Sequence, residues 1–157
     1  MERQSLETPL GMIVVTLNDD GAVVRVGFDD EAPAHGGESS SAGRCAVGQL
    51  DQYFRGELIE FDLELDPEGT EFEKRVWNEL YRIPHGSAVT YGEIASRLGD
   101  LRATRAVGAA NARNPIAIII PCHRVIGADG ELTGYAGGLW RKKWLLAHEE
   151  GQQNLGF

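Results

Sequence analysis

The chain opens with two short runs rich in β-branched residues, PLGMIVVTL at 9–17 and AVVRVGF at 22–28, separated by Asn18-Asp19-Asp20-Gly21. β-Branched side chains suit a pleated surface, and Asp-Gly between such runs is a turn signal, so a β-hairpin is expected. Residues 29–43 (DDEAPAHGGESSSAG) carry almost no large apolar side chain and read as a flexible surface loop. Val47, Leu50, Tyr53 and Phe54 then recur at helical spacing before Gly56, which predicts a helix over 45–57. LIEFDLEL at 58–65 alternates with period two and predicts a half-exposed strand, followed by a turn at 66–69.

From residue 70 the pattern changes to helical. Thr70 followed by Glu73 is a capping box, and Phe72, Val76, Leu80 and Ile83 fall on one face of the helix it starts. YGEIASRLG (91–99) predicts a short helix closed by Gly99, and Ala103–Arg113 a second one after a brief turn. Two short helices joined so tightly form a helix-turn-helix pattern. Ile116–Ile120 is an apolar run, read as a strand, that ends at Pro121; Gly127–Gly138 is a glycine-rich loop. GLWRKKWLLAHEE (138–150) predicts a final amphipathic helix with Trp140, Trp144, Leu145 and Ala147/His148 facing inward. The expected fold is α/β in two subdomains: a small strand-rich one over 1–69, and a mainly helical one with the helix-turn-helix over 70–157.

Composition narrows the class. The 157 residues are 42% hydrophobic and 25% charged, the balance of a globular chain with a real core. No apolar run is long enough to span a bilayer, and MERQSLETPLG has no apolar leader segment, so no membrane association and a cytoplasmic location are expected. Cys45 and Cys122 cannot build a disulfide framework, and neither a CxxC nor an HxxxH pair marks a metal site, so no metal is expected. The net charge of −9 argues against a nucleic-acid partner until the halves are separated. Residues 1–69 hold 4 basic and 15 acidic side chains, a balance of −11, whereas 82–143 hold 9 basic and 4 acidic, a balance of +5. Screening over roughly 8 Å makes the local patch decide phosphate attraction, so the second half is suited to DNA although the first is not. Twelve arginines against three lysines, with abundant acids, suggest a salt-adapted source.

Pro121-Cys122-His123-Arg124 holds the candidate chemistry. A lone cysteine is usually a buried structural residue. This one stands beside a histidine, between an apolar run and a mobile glycine-rich loop where a ligand can approach, which fits an activated nucleophile. On these residues alone a cysteine hydrolase and a helix-turn-helix DNA-binding module both remain open.

NPIAIIIPCHRVIG (114–127) resembles the acceptor segment of the O6-alkylguanine-DNA alkyltransferases, the methylated-DNA–protein-cysteine methyltransferases. TEFEKRVWNELYRIPHGSAVTYGEIASRLG (70–99), RAVGAANARNP (105–115) and LTGYAGGLWRKKWLLAHE (132–149) resemble that family in order and spacing. The resemblance implies direct, irreversible repair of O6-alkylguanine, and of O4-alkylthymine, in double-stranded DNA. The protein would bind the minor groove, flip the base out and act once, as a monomer without a cofactor. It implies that Cys122 accepts the alkyl group and that His123, oriented by Glu149, generates the thiolate through a water. Tyr91 would help rotate the nucleotide and donate a proton to the leaving guanine, while Asn114 ties the helix-turn-helix to the cysteine segment. Arg105 would fill the gap in the stack. Ala106, Ala109, Ala110 and Arg113 would lie along the groove, and Val125, Tyr135, Ala136 and Gly137 would frame the base pocket.

Overall fold

The computed structural model describes residues 1–33 and 39–154, with side chains to Gly151. Two compact units emerge: Met1–Glu68 together with Pro115–Ala117, and Gly69–Asn114 together with the chain from Ile118 onward. The return of 115–117 to the first unit is a feature that a boundary at residue 69 does not contain. The architecture is α/β, with a small antiparallel sheet in the first unit and helices in the second.

The first unit is a meander of β1 (Glu2–Thr8), β2 (Gly11–Leu17) and β3 (Val23–Phe28), with α1 (Ser41–Phe54) packed on β1 and β2. The expected hairpin is β2–β3; β1 adds a third strand, paired with β2 from Glu2↔Leu17 to Thr8↔Gly11. Pro9 and Leu10, read as strand, form the turn between them. There Thr8 Oγ1 accepts from the Leu10 N–H at 3.0 Å, and Gly11 has φ +102°. Along β2, Ile13, Val15 and Leu17 point into the core at 0–1% exposure, the period of two that strand geometry requires.

Helix α1 begins earlier than its apolar spacing indicates. Ser40 caps it, its side chain accepting from the Gly43 N–H, and Glu2 Oε2 accepts from the Ser40 N–H at 3.0 Å. Residues 41–43 of the expected loop are therefore helical; 34–38 lie outside the described residues. The strand expected over 58–65 does not form. Only Leu65 bridges to β3, beside Val23, while the amide of Gln49 accepts from the Asp62 N–H (2.8 Å) and donates to the Asp62 carbonyl (3.0 Å). A side-chain amide thus takes the place of a neighbouring strand, and alternating burial survives without a ladder only from Phe61 to Leu65.

In the second unit, α2 (Glu71–Tyr81) starts at the expected capping box, with Thr70 and Glu73 exchanging both bonds. Val76, Leu80 and Ile83 are buried as expected, and so is Trp77, whose indole N–H donates to the Ala110 carbonyl at 2.8 Å. Helices α3 (Tyr91–Arg97) and α4 (Thr104–Ala112), separated by a 3₁₀ turn at Leu101–Ala103, form the helix-turn-helix; α4 packs on both α2 and α3. Gly99 closes α3 at φ +88°, a conformation an L side chain rarely adopts.

The apolar run 116–120 is not a strand. Ile116 bridges β3 at Val26, the chain turns at 117–119, and Ile118 sits at φ +72°. A β-branched residue there costs on the order of 1–3 kcal/mol, which the burial of Ile118, Ile119 and Ile120 at 1–3% exposure offsets. A 3₁₀ turn, Cys122–Arg124, follows and leads into β5 (Val125–Ile126), which pairs in parallel with β4 (Val89–Thr90). The last helix is α5 (Leu139–Asn154). Its inward face differs from the expected one. Leu145 is buried as expected, but Trp140 is 58% exposed and Ala147 exposed, whereas Lys142 and Glu149 are buried.

Candidate active site

Cys122, His123 and Arg124 occupy one 3₁₀ turn, and all three are buried. Pro121 precedes it with no N–H to donate, and the Cys122 N–H donates to the Ile120 carbonyl at 2.8 Å. One face of α5 brings Glu149 to this turn. Glu149 Oε2 accepts from His123 Nε2 at 2.8 Å and from Arg124 Nη2 at 3.0 Å, while Oε1 accepts from Arg124 Nε at 2.8 Å. The fork-on-carboxylate geometry with Arg124 fixes the carboxylate plane. Arg124 Nη1 is held in turn by the Ile83 carbonyl, just beyond α2, at 2.6 Å.

The electrostatics follow from that geometry. Burial alone would raise the Glu149 carboxyl, but His123 and Arg124 outweigh it and hold the group well below the usual carboxylate range. Burial lowers the His123 imidazole and outweighs the opposing pull of Glu149, so the ring is neutral at pH 7. A neutral ring facing an ionised carboxylate must carry its proton on Nε2, which leaves the lone pair on Nδ1. That Nδ1 is buried and has no hydrogen-bond partner among the described residues. Burial raises the Cys122 thiol; a hydrogen bond from the Asn114 side chain and the positive charge of Lys142 act the other way. At rest the pair is therefore a neutral thiol and a neutral imidazole.

Asn114 also donates from Nδ2 to the Ile120 carbonyl at 2.8 Å, spanning the turn between the end of α4 and the cysteine. Asn111, not singled out in the sequence, donates to the Cys122 carbonyl at 3.5 Å. Lys142 was missed as well. Its Nζ donates to the carbonyls of Val125 (2.6 Å) and Thr133 (2.7 Å), pinning the glycine-rich loop beside β5. Burial lowers this ammonium, and Cys122 opposes the shift only in its thiolate form. A signal for Lys142 existed: it lies on the same helical stripe as Leu145 and Glu149.

The remaining expected residues divide by face. Tyr91 opens α3 and its hydroxyl accepts from Thr133 Oγ1 at 3.1 Å. Arg105, Ala106, Ala109 and Arg113 are exposed on one side of α4, and Arg113 also reaches Glu73 at 3.5 Å. Ala110 does not share that side: it is 2% exposed and its carbonyl receives Trp77, so its place on the groove face is corrected to the core. Val125 is buried, with one carbonyl lone pair already used by Lys142. Tyr135 is half-buried, and burial, joined by Cys122 when that group is a thiolate, raises the phenol well above its usual range. Ala136 is exposed, and the Gly137 carbonyl accepts from Arg141 at 3.0 Å.

A helix-turn-helix unit with a thiol set against a buried His–Glu–Arg network belongs to the class of DNA-directed proteins with a cysteine-centred site. Comparison with known proteins makes this specific. The DNA-binding domain of 6-O-methylguanine DNA methyltransferase matches residues 71–151, and the ribonuclease-like domain of that protein matches 1–67. The methylated-DNA–protein-cysteine methyltransferase of Methanosarcina acetivorans is 52% identical over 148 residues, covering 91% of this chain and 94% of its own. The crystal structure of Mycobacterium tuberculosis O6-methylguanine methyltransferase superposes with TM-score 0.85 at 41% identity, covering 99% of this chain and 98% of that one. That of Mycobacterium tuberculosis OGT in complex with DNA gives 0.86 at 45% identity, with 96% and 93% covered. The chain belongs to the 6-O-methylguanine DNA methyltransferase family.

Proposed function

We propose that this protein repairs O6-alkylguanine, and by the same chemistry O4-alkylthymine, in double-stranded DNA by moving the alkyl group to Cys122. The observation that carries this reading is the buried Cys122–His123–Glu149–Arg124 arrangement in the unit that also holds the helix-turn-helix. The Cys122 proton passes to His123 Nδ1, directly or through a water, and the imidazolium that forms faces an ionised Glu149. The thiolate attacks the sp³ carbon of the lesion; the S–C bond forms as the C–O6 bond breaks, and the electron pair stays with the guanine. Tyr91 supplies the proton that leaves the base neutral. The thioether is stable and nothing in the chain reverses it, so each molecule acts once.

The target carbon is inaccessible within a duplex, so the base must leave the stack. Arg105, Ala106 and Ala109 on the exposed side of α4 suit this, since small side chains permit close approach to the minor groove. Residues 70–157 carry both DNA binding and alkyl acceptance, with 1–69 as a separate α/β subdomain. No helix among the described residues is long and apolar enough to cross a membrane. Free cysteines, including the acceptor, fit a reducing cytoplasm.

Intact-mass spectrometry after incubation with an O6-methylguanine duplex tests the assignment. Wild type is expected to gain one methyl group per chain, and Cys122→Ser none while still binding the lesion duplex. A methyl gain in Cys122→Ser, or repeated turnover of a small ester by wild type, would overturn it.

A further inference from the structure

We propose that Thr133 is a positioning residue for the proton transfer from Tyr91, a role that rests on the alkyl-transfer reading above. Thr133 Oγ1 lies 3.1 Å from the Tyr91 hydroxyl, linking the glycine-rich loop to the first residue of α3, and when Tyr91 commits its hydrogen to a ligand Thr133 is the donor of this bond. Accepting this bond has two consequences for Tyr91. Its own hydrogen is turned away from Thr133 and is available to a ligand. A hydroxyl that accepts one bond is also polarised as a donor, because hydrogen bonds in a chain strengthen each other.

Thr133 is fixed at its backbone as well. Its carbonyl accepts from Lys142 Nζ at 2.7 Å, and the same ammonium holds the Val125 carbonyl at 2.6 Å, next to the turn that carries Cys122. The loop residue that orients Tyr91 is thereby tied to the frame that holds the sulfur. In the free protein the Thr133–Tyr91 bond is at the surface, where water competes with it. A duplex laid over Tyr91 removes that competition and strengthens the bond when it is needed.

During transfer the Tyr91 O–H bond breaks as an N–H bond forms on the guanine ring. The negative charge left on the Tyr91 oxygen is stabilised by the Thr133 hydroxyl, which keeps its own proton, and solvent later reprotonates Tyr91.

Single-turnover transfer from an O6-methylguanine duplex tests this with Thr133→Val, Thr133→Ser and Tyr91→Phe. Valine keeps the shape and the methyl that lies toward Gly127. Thr133→Val is expected to transfer about fivefold more slowly, the effect of one net hydrogen bond, with lesion-duplex affinity and melting temperature unchanged. Thr133→Ser is expected to restore the rate, and Thr133→Val is expected to add nothing in a Tyr91→Phe background. A wild-type rate in Thr133→Val, or an equal loss with and without the Tyr91 hydroxyl, would overturn the role of Thr133 and leave the repair reading standing. Failure of wild type to methylate Cys122 would instead remove the repair reading and this inference with it.

Discussion

Replacing Glu149 by Gln removes the anion on which the buried network depends. Glu149 is 1% exposed and accepts three bonds, two from Arg124 and one from His123. Glutamine offers one acceptor oxygen and turns an N–H₂ group toward donors. Arg124, 6% exposed, is left as a buried cation with no counter-charge, facing one neutral amide oxygen and the Ile83 carbonyl. Breaking a buried pair from one side costs about 3–5 kcal/mol. At about 2–4 °C per kcal/mol for a chain of this size, the melting temperature is expected to fall by about 10 °C. The pH dependence carries a second signature. The folded Glu149 carboxyl lies below its unfolded value of about 4.3, so the unfolded chain binds more protons in that range and stability is lost as pH falls below about 4.3. His123 is also lowered on folding, so its contribution is complete above about pH 6.5 and declines below it. Glu149→Gln is expected to flatten the lower limb and to extend the upper one to lower pH, because the anion that opposes the lowering of His123 is gone. Calorimetry of both proteins from pH 8 to pH 3.5 separates the two limbs. The double variant Arg124→Met/Glu149→Leu removes both charges and is expected to melt closer to wild type than Glu149→Gln does. A Glu149→Gln melting temperature within about 2 °C of wild type at pH 7, or an unchanged lower limb, would refute the reasoning.

Arg105→Ala is expected to slow repair of a lesion duplex much more than reaction with free O6-benzylguanine, because the side chain is exposed on α4 and outside the cysteine network; equal losses in a paired rate measurement would assign Arg105 another role. Trp77→Phe is expected to cost about 1–3 kcal/mol in urea unfolding, since it removes a buried indole donor from the Ala110 carbonyl, leaving that carbonyl the Arg113 N–H at 3.1 Å, and shrinks a buried side chain; an unchanged midpoint would show that the indole bond contributes nothing.

What the chain determined by itself was whatever depends on near neighbours. The α2 capping box joins residues three apart, Gly99 closes α3 through its own backbone freedom, and the helix-turn-helix follows from two short periodic segments. The Cys122–His123–Arg124 turn was legible as a contiguous motif, and the family resemblance assigned Glu149 to it. Tertiary structure decided the rest. β1 is polar enough to escape a propensity reading and exists because β2 pairs with it along its whole length. Residues 58–65 have the period of a strand, but the Gln49 amide stands where a strand would have to be. Ile118 takes a left-handed conformation that only a surrounding core can hold. Most telling is α5, where a hydrophobicity pattern sends charges outward and tryptophan inward. Lys142 and Glu149 are inside because their partners, 9 to 26 residues earlier in sequence, meet them there, while Trp140 is left exposed. Burial of a charge is set by the groups that pair with it, and those are assembled only when the chain has folded.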